Sequence, residues 1–265
     1  MNCRVAIIVP VFKTYSFIQR LFNSSITDKL SGQFDWSLIF IDDSPEMNFD
    51  WPLLIEELAK INSCFKSISV LKNVKNRGVT YSRNRAYCKA DADFVVFFDS
   101  DDVFAHGGLI MIEDELLKLG KSTGIVLMAT DAGSKNRSVI SSSSYHALLS
   151  DYGHGERLVV VRKNIKALPF IGQFRGHELA GLLRFQEKTK FGVKTSSSIV
   201  RLYLNDNSHS ISRGKELRVR LPLIIKGHIY TACFLNKHGS FLWAIRFFGA
   251  AFFGKCKLLY LSAIK

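Results

Sequence analysis

Apolar positions along the chain fall into two kinds of run, and the two kinds alternate. Val5 to Phe12, Trp36 to Ile41 and Phe94 to Phe98 are short, nearly unbroken and rich in β-branched and aromatic residues. That is the pattern of strands buried on both faces of a sheet. Between them the spacing changes. Phe17, Ile18, Leu21 and Phe22 recur at helical intervals, as do Trp51, Leu54, Ile55, Leu58 and Ile61, with Asp50 placed as an N-cap and Pro52 in the first turn. Ser67 to Leu71 predicts a further short strand, and Thr80 is expected to cap a helix running to Ala90. The order strand, helix, strand, helix, strand, helix, strand predicts an α/β fold. Its mostly parallel, Rossmann-like sheet would carry helices on both faces and bind ligands at the carboxyl ends of its strands.

Further along, Leu109, Ile112, Leu116 and Leu119 predict a helix closed by Gly120, and Gly124 to Ala129 another strand. Residues 130 to 156 lose periodicity and turn rich in Ser, Gly, Lys and His, which predicts a long functional loop over the active face. Arg157 to Val161 resumes a strand. Phe170 to Phe174 leads through Gly176 into a helix containing His177-Glu178-Leu179, and Ile199 to Leu204 reads as a strand. Lys215 to Asn236 is basic and largely helical, with a kink or break expected at Pro222. Phe241 to Lys255 is aromatic and apolar between Lys and Arg residues, too short to span a bilayer but suited to the headgroup region of an anionic leaflet. The expected division is a domain of residues 1–212, with halves 1–120 and 121–212, followed by a basic, amphipathic helical extension over 213–265.

Charge sharpens this picture. A formal charge of +13 over 265 residues, with a pI near 9.6, calls for an anionic partner. The basic residues gather in the tail beside apolar runs and no nucleic-acid module is present, so nucleic acid is not the expected partner. Cys3, Cys64, Cys88, Cys233 and Cys256 form no Cys-x-x-Cys pair, which disfavours a disulfide framework and a zinc site and fits a reducing compartment. Val5 to Phe12 is broken by Pro10 and lacks a cleavage site, and no run of 18 apolar residues occurs. The expectation is a cytoplasmic protein, peripheral on the inner face of the cell membrane.

Two acidic clusters follow strands: Asp42-Asp43, and Asp99-Ser100-Asp101-Asp102. Like charges so close are unfavourable unless a cation or a set of donors neutralises them. Mg²⁺ or Mn²⁺, held by one or two carboxylates and completed by substrate phosphates, would do so. A solvated acidic turn is the ordinary reading of an isolated Asp-Ser-Asp-Asp, and the segments upstream decide against it here.

Those segments are Val9-Pro10-Val11-Phe12; Ile39-Phe40-Ile41-Asp42-Asp43-Ser44; Asn76-Arg77-Gly78-Val79 through Ser82-Arg83-Asn84 to Ala90; and Phe97-Phe98-Asp99-Ser100-Asp101-Asp102. In that order they resemble the family 2 glycosyltransferases of the GT-A fold, over the first 120 residues. The resemblance implies a nucleotide-diphosphate sugar donor, a divalent metal, and transfer with inversion at the anomeric carbon. Carried over, Pro10, Phe12 and Asp43 would hold the nucleotide base, and Arg83, with Arg77 as the second candidate, would meet the charge of the nucleotide. Asp101 would be the main metal ligand, with Asp99 and Asp102 sharing ribose and metal contacts.

Members of the family place an acidic pair, commonly Glu-Asp, beneath the acceptor. The matching place here is His177-Glu178, which would make Glu178 the general base that takes the proton of the attacking hydroxyl. Lys13 and His177 depart from the family's usual residues. Arg201, Tyr203, Asp206, Asn207 and His209 to Ser212 look like the C-terminal part of bacterial surface-polysaccharide transferases. That implies a glycan acceptor, lipid-linked, in O-antigen or capsule synthesis.

The alternatives are a catalytically silent, membrane-bound nucleotide scaffold and a sugar nucleotidyltransferase, whose Gly-rich loop is absent. No Gly-x-Gly-x-x-Gly supports a dehydrogenase, and Gly181 stands where a zinc protease needs its second His.

Overall fold

The computed structural model describes residues 2–26, 30–61, 63–131, 141–142, 144–151, 157–174, 177–203 and 216–263. Its elements in chain order are β1 (Cys3–Val11), α1 (Tyr15–Ser25), β2 (Phe34–Asp42), α2 (Trp51–Ile61), β3 (Phe65–Lys72), α3 (Val79–Lys89), β4 (Phe94–Phe97) and β5 (Val103–Phe104). There follow α4 (Gly108–Leu117), β6 (Thr123–Thr130), β7 (Ser141–Ser142), α5 (His146–Asp151), β8 (Leu158–Arg162), α6 (Glu178–Thr189), β9 (Gly192–Leu202), α7 (Glu216–Lys237) and α8 (Phe241–Ala263).

Among the described residues one sheet of nine strands carries the fold, in the order β3-β2-β1-β4-β8-β6-β9-β5, with β7 beside β9. The ladders of β1 with β2 and β4, of β2 with β3, and of β6 with β9 are parallel. Shorter antiparallel ladders join β8 to β4 and β6, and set β5 and β7 against β9. Most of the pairing is therefore parallel, as the alternation predicts.

The unbroken apolar strands are buried on both sides. In β1, Val5, Ile7, Val9 and Val11 pack against Ile18, Leu21, Phe22 and Trp51, whereas Ala6 and Ile8 share the opposite core with Ala86, Tyr87, Leu182 and Phe185. A period of two in a continuous apolar run feeds both cores at once. Because β3, β2, β1 and β4 are parallel, Lys72, Asp42, Val11 and Phe97 all end on one edge. Both acidic clusters stand at that edge.

Several boundaries differ from the periodicity. Thr80 is not the cap of α3: Gly78 holds that place at φ 83°, and the Thr80 hydroxyl donates to the Gly172 carbonyl at 3.1 Å. The cap needs a left-handed backbone, which glycine adopts without a steric cost. At α4 the C-cap is Lys118, not Gly120, whose carbonyl instead accepts from Thr123 N at 3.1 Å. Within the expected loop of 130 to 156, the described residues include β7 and α5, whose Ala147, Leu148 and Leu149 are buried. Three apolar residues are too few to show a period.

β9 starts at Gly192, not Ile199, because its first half is polar. Lys194 and Ser196 meet Glu115 at 2.6 and 2.9 Å. Leu204, Asp206, Asn207 and His209 to Ser212 lie outside the described residues, as does Gly176.

α7 runs through Pro222 without a break. An interior proline costs about 3 kcal/mol, which packing offsets. Leu221 and Ile225 of α7 interlock with Ala251, Leu258 and Leu261 of α8, and a Cβ at Gly254 would come within 2.8 Å of Ile225. The helices form a hairpin that turns at Gly239, φ 75°. The opposite side of α8 exposes Leu242, Ile245, Phe252, Phe253, Leu259 and Tyr260. Among the described residues no helix is long and apolar enough to cross a membrane.

Candidate active site

The crevice is built first by the end of β2. Asp42 Oδ1 accepts from the Tyr15 hydroxyl at 2.9 Å and from Ser44 N at 3.0 Å, and its Oδ2 accepts from Trp51 Nε1 at 2.7 Å. Asp43 Oδ1 accepts from Asn73 Nδ2 and Arg77 N at 2.7 and 2.8 Å, and its Oδ2 from Gly78 N at 2.6 Å. Both carboxylates are buried. The strand end is thereby tied to the loop that precedes α3, and Asp43 shapes that loop directly. Pro10 is buried at the penultimate position of β1, opposite Ile41, where its missing N–H is harmless. Phe12 follows, half-buried, with the Lys13 ammonium 5.2 Å from its ring.

The end of β4 is neutralised by guanidinium groups. Arg83, buried on α3, donates from Nη2 to Asp99 Oδ1 at 2.5 Å and from Nη1 to Glu178 Oε1 at 2.6 Å. Arg201, buried at the end of β9, donates from Nη1 to Asp99 Oδ2 at 2.9 Å and lies 3.4 Å from Asp102. Its Nη2 donates to the Tyr203 hydroxyl at 3.0 Å. Burial alone would raise the Asp99 pKa, but the charges and hydrogen bonds of Arg83 and Arg201 outweigh it and hold the carboxyl below its ordinary value. Asp101 is half-buried beside Asp102, which is buried.

Glu178 opens α6, where the positive end of the helix favours a carboxylate. The chain before it is braced from α3: Asn84 exchanges two hydrogen bonds with the Phe170 backbone, at 2.8 and 3.2 Å. One turn into α6, Gly181 lies so close to Pro169 and Phe170 that a Cβ would meet backbone atoms at 2.5 Å. His177 is the N-cap residue, buried, with Nε2 at 2.9 Å from His228 Nδ1 of α7.

The structure thus brings Arg83, Asp99, Asp102 and Glu178 into one connected network with Asp101 beside it, and sets Pro10, Phe12 and Asp43 at the adjoining strand ends. Two members are missing from the sequence-level site. Arg201 is the second guanidinium on Asp99, and its signal was the segment from Arg201 and Tyr203 that resembles surface-polysaccharide transferases, to which no contact with Asp99 was assigned. Asn73, which links Asp43 to Ser82 at 2.9 Å, carried no signal.

Among the described residues, no group of three His, Cys, Asp or Glu side chains is arranged to hold a metal unaided. The donor set nevertheless fits a hard divalent cation, since such an ion needs only one or two carboxylates when phosphates supply the rest. Three of the carboxylates, Asp99, Asp102 and Glu178, meet the guanidiniums of Arg83 and Arg201, and Asp101 stands half-buried beside them.

Residues 6–175, more than half of the chain, match the family model described as Glycosyl transferase family 2. No curated protein matches the chain. Among solved structures, Staphylococcus aureus TarS 1–349 in complex with UDP-GlcNAc superposes with a TM-score of 0.59 at 18% identity, over 91% of this chain and 73% of that one. The Pyrobaculum calidifontis mannosyltransferase PcManGT, in complex with GDP-Man and Mn²⁺, gives 0.57 at 13% identity, over 100% and 81%. Glucosyl-3-phosphoglycerate synthase from Mycobacterium tuberculosis, with Mn²⁺, UDP and glucosyl-3-phosphoglycerate, gives 0.55 at 16%, over 89% and 80%. At these identities the likeness is one of fold, and the fold is GT-A.

Proposed function

The chain belongs to glycosyl transferase family 2, and from that premise we propose that it is an inverting transferase. It moves a sugar from a nucleotide-diphosphate donor to a hydroxyl of a glycan acceptor. The observation that carries this reading is the Arg83 guanidinium, which bridges Glu178 at the start of α6 and Asp99 at the end of β4. A base for the acceptor and the carboxylates of a diphosphate site are thereby held within one side chain of each other.

In this reading Pro10, Phe12 and Asp43 flank the nucleotide base, while Asp99 faces the ribose. Asp101, with Asp99 and Asp102 beside it, would hold Mg²⁺ or Mn²⁺, which when bound supplies positive charge to the departing diphosphate. Arg83 and Arg201 are ion-paired to carboxylates, and an arriving diphosphate competes for the same donors. As Arg83 turns to the diphosphate, its ion pair with Glu178 gives way and the carboxylate turns to the proton of the acceptor. The acceptor oxygen then attacks the anomeric carbon on the face opposite the diphosphate. The glycosidic bond forms, the bond to the diphosphate breaks with its electron pair, and the proton passes to Glu178. A single displacement inverts the centre.

The acceptor of this reading is lipid-linked, as in O-antigen or capsule synthesis, and the protein works at the inner face of a bacterial membrane. Support comes from α8, whose exposed Leu242, Ile245, Phe252 and Phe253 stand beside the exposed Arg246, Lys255 and Lys257. Apolar insertion flanked by cations suits an anionic leaflet. Replacing Phe252 and Phe253 by Glu should abolish co-sedimentation with phosphatidylglycerol vesicles while leaving nucleotide binding intact. Unchanged sedimentation would sink the membrane reading.

The direct test of the site is a thermal-shift screen of uridine, guanosine, cytidine and thymidine diphosphates with and without Mn²⁺. Stabilisation by one of them that requires Mn²⁺ is expected, and Asp101→Ala should remove the metal-dependent part. If no diphosphate binds in either condition, a structural role for the aspartates replaces this proposal.

A further inference from the structure

His177 stands directly before Glu178, yet its ring faces α7. Gly227 of α7 makes room for it: a Cβ there would come within 2.5 Å of His177 Cγ. The adjacent His228 turns its Nδ1 to His177 Nε2 at 2.9 Å, with the rings nearly perpendicular at 87°. Phe247 of α8 closes the contact, its ring centroid 6.1 Å from His177 and 5.8 Å from His228. Burial, with His228 beside it, lowers the His177 pKa to about 4, and burial lowers that of His228. Both rings are therefore neutral near pH 7, and one proton lies between the facing nitrogens.

At the start of α6 His177 makes no side-chain cap hydrogen bond. Its backbone N donates to Phe174 O at 3.1 Å, and Gly181 anchors the helix only one turn later. We propose that His228 is a positioning residue: its hydrogen bond to His177 ties the first turn of α6, and with it Glu178, to the C-terminal helical hairpin. The inference rests on the reading of Glu178 as the base. It extends that reading from the crevice to a part of the fold that touches no donor. Contact runs from Phe247 through the two imidazoles to the residue next to Glu178, then through Arg83 to Asp99. A hairpin that meets a surface is thereby connected to the acceptor side of the site.

The test uses the full chain, with diphosphate release from the nucleotide-sugar of the base identified by the screen as the rate, and calorimetric diphosphate binding as the control. His228→Leu should lower kcat roughly tenfold to a hundredfold, the scale on which a displacement of about 1 Å is felt. Donor KM should stay within about twofold, since Arg83 and Asp43 are untouched. His228→Asn, which keeps a polar atom near the position of Nδ1, should recover most of the rate and guards against simple misfolding. In a Glu178→Gln background, His228→Leu should have no further effect. Wild-type kcat for His228→Leu overturns the proposal. So does a loss that Asn does not recover, or an equal slowing in the Gln background. Normal turnover by Glu178→Gln alone instead removes the base reading on which the proposal stands.

Discussion

β2 and β4 flank β1 on either side, and each ends in a carboxylate cluster, but the two clusters are neutralised by different means. Every donor seen on Asp42 and Asp43 among the described residues is neutral: a phenol, an indole, an amide side chain and three backbone N–H groups. They come from the first residues of α1 and α2 and from the loops after β2 and before α3. Asp99 and Asp102 face guanidiniums, whose bonds an anionic ligand can take over. The difference separates a cluster fixed by neutral hydrogen bonds from one held by ion pairs. Neutral donors set geometry; charged ones can be exchanged.

The largest effect lies across the exchangeable cluster. Glu178→Gln should keep diphosphate binding and lower kcat by about 10²–10⁴, the usual contribution of a positioned base. Paired stopped-flow and calorimetric measurements would check this, and normal turnover would remove Glu178 from the mechanism.

The next test breaks the comparison directly. Asp42→Asn turns an amide donor toward Trp51 Nε1 or toward Tyr15 and Ser44, so one buried donor loses its acceptor. Its cost should be about 1–3 kcal/mol of folding stability, with diphosphate affinity little changed. Asp101→Ala should do the reverse, lowering metal-dependent diphosphate affinity at nearly constant stability. Equal effects of both substitutions on both readouts would erase the distinction between the two clusters.

How much of this was legible in the sequence follows from the same chemistry. β1, β2 and β4 announce themselves because strands buried on both faces leave no room for polar residues, and the carboxylates that close them stand out by contrast. Arg83 and Glu178 were found through the order of motifs and not through periodicity. Arg201 was not read as part of the site, since it meets Asp99 from a strand whose first half is polar and satisfied by Glu115. His228 was silent for a similar reason, being one His on a basic helix. Thr80 misled because Ser and Thr favour N-caps in general, while here the loop needed a glycine backbone and Gly78 N was already engaged by Asp43.

The smallest effect concerns pH. His177 has an ordinary pKa of 6.5, lowered to about 4 in the fold by burial and the neighbouring His228. The unfolded chain therefore binds a proton below 6.5 that the folded chain refuses until about 4. Stability from this group is complete above the higher value and lost as pH falls through that window. Between pH 7 and pH 5 the expected loss is about 1–2 kcal/mol. His177→Asn should flatten that part of a melting-temperature profile, and an unchanged slope would rule out His177 as its source.

Asp99 and Arg201 are 102 residues apart along the chain. At ribosomal rates of roughly 5–20 residues per second, the aspartate strand emerges several seconds before the arginine that completes its ion pair. Through that interval the nascent chain carries the Asp99 carboxylate with Arg83 already made and Arg201 still to come. A chain released before β9 would hold the base-flanking half of the site and still lack the charge that closes it. The matched family region, residues 6–175, therefore ends before the arginine that completes this cluster of ion pairs.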